Sequence, residues 1–179
     1  RNSKWANVTP VAHMWEQLNL TYEYGIDKLW ILNVGDLKPM EYPIDFFLKM
    51  AWDPKQFSVD TFRDHTYQFC EDAFGKDDAK KAQYILEKYL QYNGRVTPEM
   101  LNARTYNLHN GEFLQVVNEY KALEADALRQ YKHLKDEYRD AYYQLILFPV
   151  QSMANLYEMY YAQAMNAYLY DLGDAEANG

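Results

Sequence analysis

Asn33, Asp36 and Lys38 follow directly on an apolar run in the stretch LWILNVGDLKPMEYP, residues 29–43. From Lys28 to Val34 the side chains are almost continuously apolar over a strand's length, which predicts a strand buried on both faces, best neighboured by parallel strands. Polar groups at the carboxyl end of such a strand stand where parallel α/β folds and barrels place their sites. An amide, a carboxylate and an ammonium there can bind a polar ligand. A loop with a capping Asp and a surface Lys is the competing account, and the residues alone do not separate the two.

Other constellations that carry chemistry are missing from the sequence. A di-iron bundle needs Glu-x-x-His pairs on one helical face, and none occurs. His13, His65, His109 and His133 are scattered, with no His-Glu-x-x-His or Cys-x-x-Cys spacing, so no metal ligands and no cofactor are expected from this chain. The seven glycines stand singly, which leaves no phosphate-cradling loop. Cys70 lies mid-helix beside Phe69 and reads as a packed thiol. The eighteen tyrosines fall at helical spacing and read as core rings whose hydroxyls reach the edge, with Tyr142-Tyr143 and Tyr160-Tyr161 each turning one ring outward.

The elements that must position these groups are mostly helices. Thr9-Pro10 reads as an N-cap and first-turn proline, and Gly25 as a stop, for a helix through His13, Trp15, Leu18 and Tyr22. Past the strand, Pro43 opens a helix over residues 44–52 that Asp53-Pro54 closes. Ser58 is expected to cap a helix running to Gly75. Ala82, Ile85, Leu86, Tyr89 and Leu90 then form an apolar stripe ending at Asn93-Gly94. A helix of more than twenty residues carries Phe113, Val117, Tyr120, Leu123, Ala127, Tyr131 and Leu134. From Asp136 another runs past Pro149, with a kink or break there, to Gly173. The expected fold is mainly α: a helical bundle of four to five helices over residues 57–173, preceded by a helix-strand-helix unit within residues 1–56 and followed by a frayed tail, residues 174–179.

Eighteen basic and twenty-six acidic residues give a net charge of −8, with no Lys/Arg block. That balance disfavours nucleic acid as a partner. The longest apolar run, 145–150, is far short of the roughly 20 residues that cross a bilayer. The chain begins at Arg1 without an initiator Met or a signal-type segment, which points to a piece of something longer.

Several blocks together resemble glycoside hydrolase family 115: Lys4-Trp5, Met14-Trp-Glu-Gln17, Tyr22-Glu-Tyr-Gly25, the run 29–41, Phe46-Phe-Leu48, Ala51-Trp-Asp-Pro54, and later Tyr143-Gln-Leu-Ile-Leu-Phe-Pro-Val150 and Asn155-Leu-Tyr-Glu-Met-Tyr-Tyr-Ala162. The most specific block runs from Trp30 to Pro39. Members of that family are α-glucuronidases that remove glucuronic acid or its 4-O-methyl form from xylan with inversion. The resemblance implies that residues 1–56 are the end of a catalytic (β/α)8 barrel, and that the bundle is the helical domain following it.

The resemblance also implies a division of labour. The acid and base of an inverting mechanism, roughly 6.5–9.5 Å apart, would lie upstream of the matching region, so neither role passes to Asp36 or Glu41 and the fragment is expected to be inactive alone. Asn33 matches a polar residue of the substrate pocket, and its amide can donate to one sugar oxygen while accepting from a hydroxyl. Trp5, in the family's Lys-Trp segment, would stack on a sugar face or pack on the barrel rim. Lys38 would pair with a uronate, and Asp36 is the weakest substrate-binding candidate. The implied partner is glucuronoxylan or an aldouronic acid oligosaccharide, and the implied location secreted or periplasmic. A stand-alone helical interaction module, self-associating through the unpaired strand or the bundle, is the alternative.

Overall fold

A computed structural model describes residues 6–178. Helix α1, Val11–Glu23, has Pro10 itself in the capping position, one residue later than the Thr9 cap expected. Gly25 ends it as expected: at φ 83° it lets the Ile26 amide reach the Thr21 carbonyl at 3.1 Å, a left-handed turn that a side chain would strain. Helix α2, Glu41–Trp52, starts a turn earlier than Pro43 suggested, with the proline inside the first turn, where no N–H is required. It buries Tyr42, Phe46, Phe47 and Met50.

Ser58 does not cap the next helix. Its hydroxyl accepts from the Asp60 and Thr61 amides, closing a turn that delivers the chain into α3, Phe62–Phe74. Gly75, at φ 80°, reverses the chain into α4, Lys76–Asn93, and the two helices pack side by side. The apolar stripe of α4 is buried along its whole length, from Ala82 through Leu90. A 3₁₀ turn at Pro98–Met100 leads towards α5, Glu112–His133, which packs on α4 and on the last helix.

The final course begins as α6, Asp136–Tyr142, widens into a π-helix at Tyr143–Leu147 and continues as α7, Phe148–Asp171. Pro149 thus sits in the first turn of α7 rather than at a break. A proline cannot donate to the carbonyl four residues back, and the wider π turn just before it accommodates the lost bond. A 3₁₀ turn at Ala175–Asn178 follows, its Ala177 carbonyl accepting from the Asn166 amide at 2.7 Å.

One hydrophobic core runs through the molecule from Ala6 and Val8 to Ala164 and includes Tyr42, Phe46 and Met50 of α2. Phe46 meets Phe57 edge to face at 5.1 Å, and Trp15 of α1 stacks on Phe62 at 5.9 Å. The bundle and α2 therefore share their packing.

The expected strand is absent, and no strand occurs among the described residues. Backbone groups of residues 27–36 make no hydrogen bond with the backbone of any other described residue. A strand needs a neighbouring edge to satisfy its amides, and the helices around it offer none. Leu29 and Ile31 are 72% and 81% exposed, so the run is not buried on both faces. The helix-strand-helix unit is thus two helices joined by an irregular extended segment.

Phenol rings fill the centre of the bundle, the hydroxyls of Tyr120 and Tyr142 paired internally rather than at the edge and that of Tyr89 buried without a hydrogen-bond partner among the described residues. The Tyr142 hydroxyl donates to Gln130 Oε1 at 2.9 Å, while Gln130 Nε2 donates to the Asp78 carbonyl at 2.8 Å, joining α6, α5 and α4. Tyr142 is fully buried and Tyr143 half exposed, as expected of that pair, whereas Tyr160 and Tyr161 are both half-buried and pack against the core. Truncating Gln130 would strand the buried Tyr142 hydroxyl and remove a donor from the carbonyl of the half-buried Asp78, so Gln130→Ala is expected to cost about 2 kcal/mol in a urea melt, with an unchanged m-value.

His65 stacks on Phe57 with ring centroids 3.8 Å apart. Burial, then the nearby Lys49 ammonium, hold its pKa below the ordinary 6.5. The unfolded chain takes up this proton before the folded one does, so the contribution is present above the unfolded value and is lost as pH falls towards the folded one. Thermal stability should therefore drop as pH is lowered from 7 towards 5, and His65→Gln should flatten that part of the profile.

Candidate functional site

The segment between α1 and α2 carries three of the predicted site residues. Trp30 packs against the core: its indole N–H donates to the Ile26 carbonyl at 2.6 Å and its ring lies 6.3 Å from that of Phe47. That anchor leaves Leu29 and Ile31 facing out. Asn33 and Asp36 are exposed and form no hydrogen bond or ion pair with any described residue. Both present their full donor and acceptor capacity to solvent.

Lys38 is different. Its ammonium donates to Gln144 Oε1 at 3.0 Å, and the amide of the same glutamine donates to Glu41 Oε1. Gln144 lies in the π-helical turn, so the widened stretch of the last helical course pins both the end of the loop and the start of α2. Glu41 Oε2 is buried without a partner, which raises the value of the single bond that holds this carboxylate. An ammonium has three donors, so Lys38 retains two for an anion while its position is set. The structure thus fixes Lys38, exposes Asn33 and Asp36, and does not join the three by hydrogen bonds. Trp5 lies outside the described residues.

The remaining nucleophiles and ligands have structural surroundings. Cys70 is fully buried, and desolvation, followed by the charge of Glu87, pushes its thiol up to about 12, which removes the thiolate a nucleophile needs. His109 meets Tyr168 edge to face at 5.2 Å. Among the described residues no three His, Cys, Asp or Glu side chains converge as a metal site, and no helix is long and apolar enough to cross a membrane.

A second feature was not visible in the sequence. A cleft of about 730 Å³ opens where the first turn of α1 meets α3 and the last turns of α4. Gly94 allows this meeting, since a Cβ there would stand 2.9 Å from Pro10 Cγ. Arg63, Tyr84, Glu87, Lys88 and Gln91 are among its lining residues. Arg63 comes from α3 and the other four from α4, and their sequence signal is that Tyr84, Lys88 and Gln91 recur on the polar side of the α4 stripe.

The Gln144 bridge predicts a measurable coupling between distant parts of the chain. Gln144→Ala should speed amide hydrogen exchange across residues 36–42 while leaving the protected amides of α5 unchanged. Equal exchange in both proteins would show that the loop is held otherwise.

In comparisons with known proteins, the family model described as glycosyl hydrolase family 115 matches residues 1–100. Among solved structures, the chain is similar to BtGH115A, described as a family GH115 4-O-methyl-α-glucuronidase with specificity for decorated arabinogalactans. The TM-score is 0.76 at 24% identity, over 87% of this chain and 22% of that one. At that identity the likeness establishes a shared fold, and this chain spans about a fifth of the length of that relative. No curated protein matches. With more than half of its residues matched by the family model, the chain belongs to glycosyl hydrolase family 115.

Proposed function

We propose that this chain is part of a glycoside hydrolase that removes glucuronic acid, or its 4-O-methyl form, from xylan by inverting hydrolysis. The observation that carries the proposal is the family match over residues 1–100, which includes the whole segment from Trp30 to Glu41. In this account residues 1–56 belong with the catalytic barrel, 57–173 form the helical domain packed on it, and 174–179 are a tail. The described relative acts on decorated arabinogalactans, so the polymer to be tested is not xylan alone.

The chemistry assigned to this chain is binding and positioning. A uronic acid offers a carboxylate and several hydroxyls. Lys38, held by Gln144, supplies a fixed positive charge for the carboxylate, and the exposed amide of Asn33 donates to one sugar oxygen while accepting from a hydroxyl. Asp36 is an acceptor for a second hydroxyl, and Trp5 supplies a ring for a sugar face. Inversion needs a carboxylic acid on the leaving oxygen and a carboxylate base on a water across the ring. Both are assigned to the barrel outside this chain, so the 179-residue chain alone is inactive.

The test has two parts. Purified chain should release no glucuronic acid from glucuronoxylan or from decorated arabinogalactan, and release would overturn its inactivity. In the longer enzyme, Asn33→Ala should lower kcat/KM about tenfold, the worth of one hydrogen bond to substrate, and a longer enzyme that frees no glucuronic acid from either polymer would overturn the assignment. A second reading is favoured by the exposed apolar side chains of Leu29, Ile31, Leu37 and Trp52: self-association through these side chains. Sedimentation equilibrium distinguishes it, because a monomer at high concentration would exclude it.

A further inference from the structure

We infer that the cleft between α1, α3 and α4 is a second, non-catalytic site for an acidic sugar, holding a uronate-bearing oligosaccharide by its carboxylate. The inference rests on the glycosidase reading for the ligand's class and on the cleft's own geometry for everything else. About 730 Å³ lies within the ordinary range of small-molecule sites and accommodates a short oligosaccharide.

The charge of the cleft comes from its side chains. The first turn of α1 and the last of α4 meet at Pro10 and Gly94, so the opposite partial charges of two helix ends offset each other. Three cationic side chains remain, Arg63, Lys88 and Arg95, on a protein whose net charge is −8. Arg95 is committed, bonded to Glu119 and lying over the Tyr92 ring at 4.5 Å. Lys88 donates only to the neutral Gln91 Oε1, at 3.1 Å. Arg63 Nε stands 4.0 Å from Glu87 Oε2 with its side chain 68% exposed, beyond hydrogen-bond reach, while Glu87 is held on its other oxygen by Gln83 at 3.0 Å. Arg63 and Lys88 are thus the two lining cations that make no hydrogen bond to a carboxylate among the described residues.

The same surroundings select against a phosphate. Glu87 also lines the cleft, 4.0 Å from Arg63 Nε, and its carboxylate repels a dianion more strongly than a monoanion while accepting from sugar hydroxyls. The half-exposed Tyr84 adds aromatic surface against which the apolar face of a pyranose packs. A monoanion flanked by hydroxyls and one hydrophobic face is the description of a uronic acid residue.

Titration of the 179-residue chain with sodium glucuronate, glucose and inorganic phosphate, followed by backbone NMR, tests this. Glucuronate at millimolar concentration is expected to shift amides of residues 63, 84, 88 and 91. Glucose should bind about tenfold more weakly for want of the charge, and the Arg63→Gln, Lys88→Gln double variant should show the same loss, with Lys132→Gln unchanged. No shift at the cleft, or phosphate binding as tightly as glucuronate, overturns the inference. Independent assay of the longer enzyme separates the two proposals: glucuronidase activity with a silent cleft removes only this one, and uronate binding in the cleft without that activity removes only the catalytic one.

Discussion

Burying a phenol costs least when its hydroxyl keeps a partner, and the pairings that do so, at Tyr42, Tyr120 and Tyr142 though not at Tyr89, organise the interior. Four of the largest fully buried side chains are tyrosines, 89, 120, 142 and 157. Each inter-helix pairing of a buried phenol fixes a rotation as well as a distance: Tyr120 donates to Asn93 Oδ1 at 2.9 Å, Tyr142 to Gln130, and the buried Tyr42 bonds Thr66 at 2.5 Å. An aliphatic core can slide by a fraction of a turn with little loss, whereas these bonds are broken by the same slip. Burial accordingly pushes the tyrosine hydroxyls well above their ordinary value, so they stay protonated donors.

The rotation set by this core reaches the candidate site through the last helical course. Tyr142 is locked by Gln130, and the very next residues widen into the π turn that carries Gln144. Gln144 then fixes Lys38 and Glu41. A loop with one anchoring ring at Trp30 thereby gains a second, polar anchor from residues more than a hundred positions away. The cleft depends on helix packing as well, since α3 and α4 carry its cations while Gly94 sets how close α1 may come.

What could be read from the sequence was what is local. Gly25 and Gly75 marked turns with positive φ, and the spacing of Ala82 to Leu90 placed one face of α4 in the core. Most of the family-specific residues lay in contiguous blocks, and the family assignment followed from them. The strand was misread because a short apolar run has no helical or strand period of its own; whether it becomes a strand depends on a neighbour elsewhere. Ser58 was misread more finely, as its hydroxyl serves a turn four residues ahead of the helix rather than the helix. For the site, the residue types of Asn33, Asp36 and Lys38 were legible, but the Lys38 to Gln144 bond and the convergence of Arg63 with Lys88 are products of tertiary packing.

The π turn has a consequence for how relatives of this chain should be aligned. Such a turn is an α-helix with one residue inserted, and each residue turns the helix by about 100°. A homologue lacking that residue would have to choose between facing its Tyr142 equivalent to the core and facing its Gln144 equivalent to the loop. A single-residue gap between positions 143 and 147 would therefore mark descent without this linkage, and in such lineages the residue at 41 would be free to drift away from glutamate.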